Sequence, residues 1–257
     1  MSGVLHGRTV LVTGAGAGLG RGVSVAAGKA GAHVIVTSLS DNGVGTATEI
    51  QDAGGIATWI KCDVTARDEV EHAVAEAVRS TGRLDAVVHN AFARPLFDDP
   101  RTASVAELPE DLWHYEASVA IRGAYYSAHA GFPHLVKSKG RLILLSSTSG
   151  VEGTPTQPAY AASKGALRAM TKSLAREWGP LGITVNAVSP YITTPAFDKW
   201  WARNPELKRE GVGLTALGYI GEPEPDAGPP FVFLLSDASH YLTGQTFFVD
   251  SGRYMSY

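Results

Sequence analysis

The chain has 257 residues, within reach of one compact domain, and its 44% hydrophobic and 18% charged content excludes intrinsic disorder. With 22 basic against 25 acidic residues it carries a formal charge of -3, so no basic field recommends nucleic acid or an anionic lipid surface as a partner. A single cysteine, Cys62, excludes an intrachain disulfide. Met1 to Arg8 does not read as a leader and no run of about 18 apolar residues occurs, so the expectation is a cytoplasmic protein. Glycine fills 29 positions, above the roughly 7% of average usage and without a collagen-like period.

In chain order, Thr9 to Thr13 is a β-branched run ending in Gly14-Ala15-Gly16-Ala17-Gly18-Leu19-Gly20, and Arg21 to Ala30 then reads as helix. The rhythm repeats with strands at His33 to Thr37, Ala57 to Cys62 and Leu84 to His89, and helices at Val44 to Ala53 and Arg67 to Ser80. Leu112 to Leu135 reads as one long helix, followed by a strand at Arg141 to Leu145, a helix at Ala159 to Trp178 and a strand at Ile183 to Val188. A helix near Asp226 to Leu235 and a strand at Gln245 to Val249 close the pattern. Apolar strands alternating with helices predict an α/β fold: a Rossmann-like, doubly wound parallel sheet of about seven strands flanked by helices. The Pro- and aromatic-rich stretch around 190–225 interrupts that rhythm and predicts a substrate lid inside one domain spanning 1–257. Such sheets bind ligands at the carboxyl ends of their strands.

Two local patterns point to chemistry there. Glycines at 14, 16, 18 and 20, between the first strand and first helix, allow positive φ and let backbone amides approach a pyrophosphate. Further on, Tyr160 and Lys164 are four apart in a helical pattern and share a face, with Ser147 closing the preceding strand. An ammonium beside a phenol favours the phenolate, which predicts a lowered Tyr160 pKa and a general acid and base. The histidines lack metal-site spacing, so no metal is expected; Trp200 and Trp201 either cover an apolar substrate or pack the lid.

These motifs resemble those of the short-chain dehydrogenases/reductases over nearly the whole chain. Thr13 to Gly20 matches the family's Thr-Gly-x-x-x-Gly-x-Gly, Tyr160 to Lys164 its Tyr-x-x-x-Lys, and Ser147 lies thirteen residues before the tyrosine. Asp63-Val64 is similar to the family's adenine-side pair, and His89-Asn90-Ala91-Phe92 stands where it has Asn-Asn-Ala-Gly. The resemblance implies an NAD(P)-dependent oxidoreductase interconverting a secondary alcohol and a ketone, with 4-pro-S hydride geometry. Ser147, Tyr160 and Lys164 are its implied catalytic set, and Lys164 also holds the nicotinamide ribose. It implies cofactor contacts from Gly14, Gly16, Gly18, Leu19, Gly20, Ser38, Asp63, Val64, Asn90, Ala91, Tyr160, Lys164, Ile192 and Thr194. It further implies a homodimer or homotetramer packed through the helices around Leu112 to Leu135 and Ala159 to Trp178. A cofactor sensor without turnover, or a redox-independent lyase on the same scaffold, are the rival readings.

The chain departs from the family pattern at three places. Ala120 stands where an asparagine usually helps hold a water linking the lysine to solvent, so another polar group or a water chain is expected to replace it. Phe92 replaces a glycine beside the cofactor site and either enters the core or lines the cleft. The Ser189 to Pro195 loop is one residue short, which implies an altered nicotinamide pocket. At the end of the second strand, Thr37-Ser38-Leu39-Ser40 offers neither an acid nor a base. The cofactor expectation therefore leans to NADP over NAD, with Asp41 as the residue that could reverse it.

Overall fold

The computed structural model describes residues 3–93 and 103–255. Its strands are β1 (Thr9–Val12), β2 (His33–Ser38), β3 (Ile56–Lys61), β4 (Ala86–His89), β5 (Arg141–Leu145), β6 (Thr184–Pro190) and β7 (Thr246–Val249). They form one parallel sheet in the order β3-β2-β1-β4-β5-β6-β7, so the strand order reverses between β1 and β4.

Strand alternation divides the core in two. Val10, Val12, Val34, Val36, Val88 and Ile143 face α1 (Gly18–Lys29), α2 (Asn42–Asp52) and α10 (Gly228–Leu235), where Val23, Ile50, Phe231 and Leu234 pack on them. Leu11, Ile35, Val87, Leu142 and Val185 face the other way, against Val74 of α3 (Arg67–Thr81), Leu135 of α5 (Gly123–Ser138) and Leu167 of α7 (Pro158–Trp178). Apolar residues on both strand faces are what a doubly covered parallel sheet requires.

The helix expected over Leu112 to Leu135 is broken. It runs as α4 (Glu110–Ala117), a π turn over Ser118–Arg122, and α5. The wider turn shifts the helical phase, and Gly123, the first residue after it, is pressed onto the sheet: a Cβ there would lie 3.0 Å from His89 Cε1 and from Val64. The last helix likewise begins later than its pattern, after a π turn over Pro223–Ala227. A short α6 (Ser149–Glu152) was not foreseen. Within 190–225 the chain forms α8 (Pro195–Arg203) and α9 (Pro205–Gly213). Among the described residues no helix is long and apolar enough to cross a membrane.

Candidate active site

The reversal point between β1 and β4 is tied from both sides. Thr13 Oγ1 accepts the amides of Asn90 (3.0 Å) and Ala91 (3.1 Å), while Asn90 Nδ2 donates to the carbonyls of Thr13 (2.9 Å) and Gly14 (3.0 Å). Gly14 sits at φ +63°, and a Cβ on it would lie 2.8 Å from Ala91 Cα. A Cβ on Gly20 would meet Asn90 Nδ2 and the Gly14 carbonyl at 2.5 Å. Both positions require glycine because backbone approaches backbone there. Gly18, at φ +55°, brings the turn to Thr194 Cγ2, 3.3 Å from where its Cβ would be. Gly16 lies against the Asn42 side chain, and Leu19 packs on the Phe231 side of the core.

Helix α1 then starts with no side-chain cap and no acid in its first turn. An uncapped helix N-terminus offers its first amides and the positive end of its dipole to an anion. The glycine cradle and the open helix end fit the pyrophosphate of a dinucleotide.

On the β2 side, Ser38 is buried, and its hydroxyl donates to the Ser40 carbonyl (2.7 Å) and accepts Trp59 Nε1 (2.8 Å). Asp63 Oδ1 accepts from the amide and hydroxyl of Thr65, both at 2.8 Å, which fixes the turn after β3; Val64 is buried beside Gly123. The nearby guanidinium of Arg21 is engaged by Glu49 at 2.5 Å.

Ser147, Tyr160 and Lys164 meet past the end of β5. Helices α6 and α7 approach so closely that a Cβ on Gly150 would lie 2.5 Å from the Lys164 carbonyl carbon. Ser146 Oγ donates to the Lys164 carbonyl (3.0 Å), and Lys164 Nζ donates to the Leu145 carbonyl (2.7 Å), so strand end and helix are stitched twice. The Ser147 hydroxyl is close enough to the Tyr160 phenol to favour its phenolate, and Lys164 Nζ stands 5.5 Å from the Tyr160 ring centroid.

The electrostatics differ from the sequence-based expectation. Burial pushes the Tyr160 phenol up to about 12, opposed by the Ser147 hydroxyl, which favours the phenolate, and Glu116 raises it further. Burial brings the Lys164 ammonium down to about 8, opposed by Glu116. Desolvation penalises both charged forms, and Lys164 points at a carbonyl and the ring face. The lowered phenol pKa is therefore not a property of the protein alone.

Phe92 is 45% exposed, which excludes it from the core. In the Ser189 to Pro195 loop, the Tyr191 amide bonds the Val249 carbonyl (2.9 Å), Ile192 pairs with Gly221, and Thr194 Oγ1 caps α8 by accepting the Phe197 amide (3.2 Å). Trp201 is buried against Phe197, ring centroids 4.0 Å apart, so it packs α8. Three residues here were given no role from the sequence, although His89 stands in a quoted motif. Glu116 stands four residues before Ala120. Arg253 donates to Thr148 Oγ1 (2.7 Å) and stacks on Tyr191 (4.8 Å), and the buried His89 lines the corner beside Lys164.

A seven-stranded parallel sheet with a glycine turn and a Ser/Tyr/Lys corner at its carboxyl edge defines a doubly wound protein with its crevice at the reversal point. Residues 14–253 match the family model described as enoyl-(acyl carrier protein) reductase. The chain is 36% identical to L-fucose dehydrogenase of Oryctolagus cuniculus over 250 residues, 96% of this chain and 84% of the relative. It is 32% identical to 3-oxoacyl-(acyl-carrier-protein) reductase FabG of Thermotoga maritima over 254 residues, 96% and 98% of the two chains. A crystal structure from Sinorhizobium meliloti 1021, described as a short-chain alcohol dehydrogenase, superposes with TM-score 0.89 at 32% identity, covering 97% of each chain. The chain belongs to the short-chain dehydrogenase/reductase family and is an NAD(P)-dependent oxidoreductase acting on CH-OH/C=O groups.

Proposed function

We propose that the protein interconverts a secondary alcohol and a ketone, with Tyr160 exchanging the proton of the substrate oxygen and Ser147 polarising that oxygen. Lys164 supports the charge that develops there and holds the nicotinamide ribose. NAD(P), when bound, accepts or supplies the hydride. The observation that carries this reading is the juxtaposition of the Ser147 hydroxyl, the Tyr160 phenol and the Lys164 ammonium at the carboxyl edge of the sheet. In this reading Gly14, Gly16, Gly18, Leu19 and Gly20 hold the pyrophosphate, Ser38 the adenosine ribose, and Asp63 and Val64 the adenine. Asn90, Ala91, Ile192 and Thr194 line the nicotinamide half. The chain acts as one domain with 190–225 as its lid, in the cytoplasm, as a homodimer or homotetramer.

The relatives are named for different substrates, a sugar and an acyl-carrier-protein ester, so the proposal stays at the level of the functional group. NADP is the preferred cofactor in this reading, because Thr37-Ser38-Leu39-Ser40 at the end of β2 carries no acid to repel a 2′-phosphate, with Asp41 the residue that could reverse it. The test is Tyr160→Phe: turnover falls by at least ~100-fold, while titration still shows binding of oxidised NADP, tighter than NAD. Retained turnover would overturn the role of Tyr160, and tighter NAD binding the cofactor preference.

A further inference from the structure

His89 is fully buried at the carboxyl end of β4, where the Tyr160/Lys164 reading has no use for it. Its hydrogen bonds fix its tautomer. Thr13 Oγ1 already accepts two amides, so its one proton is directed to His89 Nδ1 at 3.3 Å; Ser127 Oγ lies 3.4 Å from the same nitrogen. A neutral imidazole whose Nδ1 accepts carries its proton on Nε2. Burial holds the ring neutral, bringing its pKa down to about 3, with Lys164 lowering it further.

Among the described residues the Nε2–H meets no partner at full hydrogen-bond geometry, although the Val119 and Ala120 carbonyls of the π turn are close enough to favour its charged form. The only side chain that turn could offer at position 120 is a methyl group. Lys164 arrives at the same corner. His89 is in register with Leu144 of β5, and the ammonium donates to the carbonyl of the next residue, Leu145. That bond uses one of its three protons.

We propose that His89 and the π-turn carbonyls hold an ordered water against the Lys164 ammonium, which makes His89 the residue that positions Lys164. The water accepts from Nε2–H and from Nζ and donates to the Val119 and Ala120 carbonyls, a complete set of partners for a buried water. It solvates an ammonium that burial otherwise penalises, and it satisfies the orphaned imidazole donor. This inference rests on the proposed role of Lys164. The titratable groups facing the corner are Lys164 and Tyr160 from α7 and Glu116, whose charge reaches both, from α4. The turn after β1 and helix α5 contribute the neutral hydroxyls of Thr13 and Ser127.

The experiment compares His89→Asn with His89→Gln. The asparagine amide reaches only as far as Nδ1, whereas the glutamine amide reaches the place of Nε2. His89→Asn is expected to lower kcat on the order of tenfold, leave KM unchanged and move the high-pH break in kcat downward. His89→Gln is expected to restore kcat to within about threefold. An asparagine variant with the wild-type rate and pH profile, or a glutamine variant that loses as much as asparagine, overturns the proposal. Should the asparagine variant not fold, an atomic-resolution structure of the wild type decides, and absence of a water bonded to both His89 Nε2 and Lys164 Nζ overturns it. Failure of the catalytic reading is seen separately, as turnover surviving Tyr160→Phe.

Discussion

Lys164 is held between two opposing effects, and the balance sets a pH at which the site changes character. Burial favours the neutral amine and Glu116 favours the ammonium, leaving the group near 8. As pH rises through about 8 the ammonium loses its proton, whereas Tyr160, pushed up to about 12, keeps its own. Carbonyl reduction, which needs a protonated phenol and a charged lysine, is expected to run level below about pH 8 and to fall above it. Alcohol oxidation needs the phenolate beside the charged lysine and is expected to gain with pH up to about 8 and to level off above it. Glu116→Gln removes the charge that supports the ammonium, so the break in reduction moves to lower pH. Initial rates between about pH 6 and pH 10 check this; a break that stays in place or rises in the glutamine variant contradicts the assignment of Glu116.

At the scale of the element, the turn from β1 into α1 depends on glycine in a way that is not uniform along the chain. Gly14→Ala places a Cβ at φ +63° and 2.8 Å from Ala91 Cα, so it suffers left-handed strain of roughly 1–2 kcal/mol and also displaces the end of β4. Its melting temperature is expected to fall and its cofactor affinity with it. Gly45→Ala, inside α2 with nothing within 4 Å of the added Cβ, is expected to gain about 0.5–1 kcal/mol from helix propensity. Thermal melts of the two variants check the contrast, and equal shifts would refute it. The same elements mark what could be read from residues alone. Seven strands were legible because a sheet covered on both faces needs uninterrupted apolar runs such as Val10 to Val12, and the glycine turn because it follows one of them. The π turn was not, since one extra residue per turn barely disturbs a helical pattern that reads through Ser118 to Arg122. Nor was the direction of the Tyr160 shift, which comes from desolvation and so from packing that spacing does not encode.

For the whole molecule, the broken helix links the site to the surface. Trp113 of α4, Ile121 of the π turn and Tyr125 of α5 are 41%, 37% and 48% exposed, and Tyr125 and His129 pair their rings 5.7 Å apart along the same helix. Large apolar side chains on successive turns of one helical segment are what an interface between copies covers. The segment also bears Glu116, and both α4 and the π turn pack on α7, which carries Tyr160 and Lys164. If a second copy covers this face, assembly is expected to steady the groups that set the Lys164 charge. Ile121→Arg with Tyr125→Arg changes only side chains that point outward, so each chain is expected to keep its fold, with a melting temperature lowered no further than loss of assembly entails. Sedimentation is expected to show a dimer or tetramer for the wild type and a smaller species for the double variant. Specific activity should fall with the assembly, and dilution of the wild type should lower it in the same way. A double variant that sediments like the wild type would place the interface elsewhere, and a fully active monomer would separate assembly from the site.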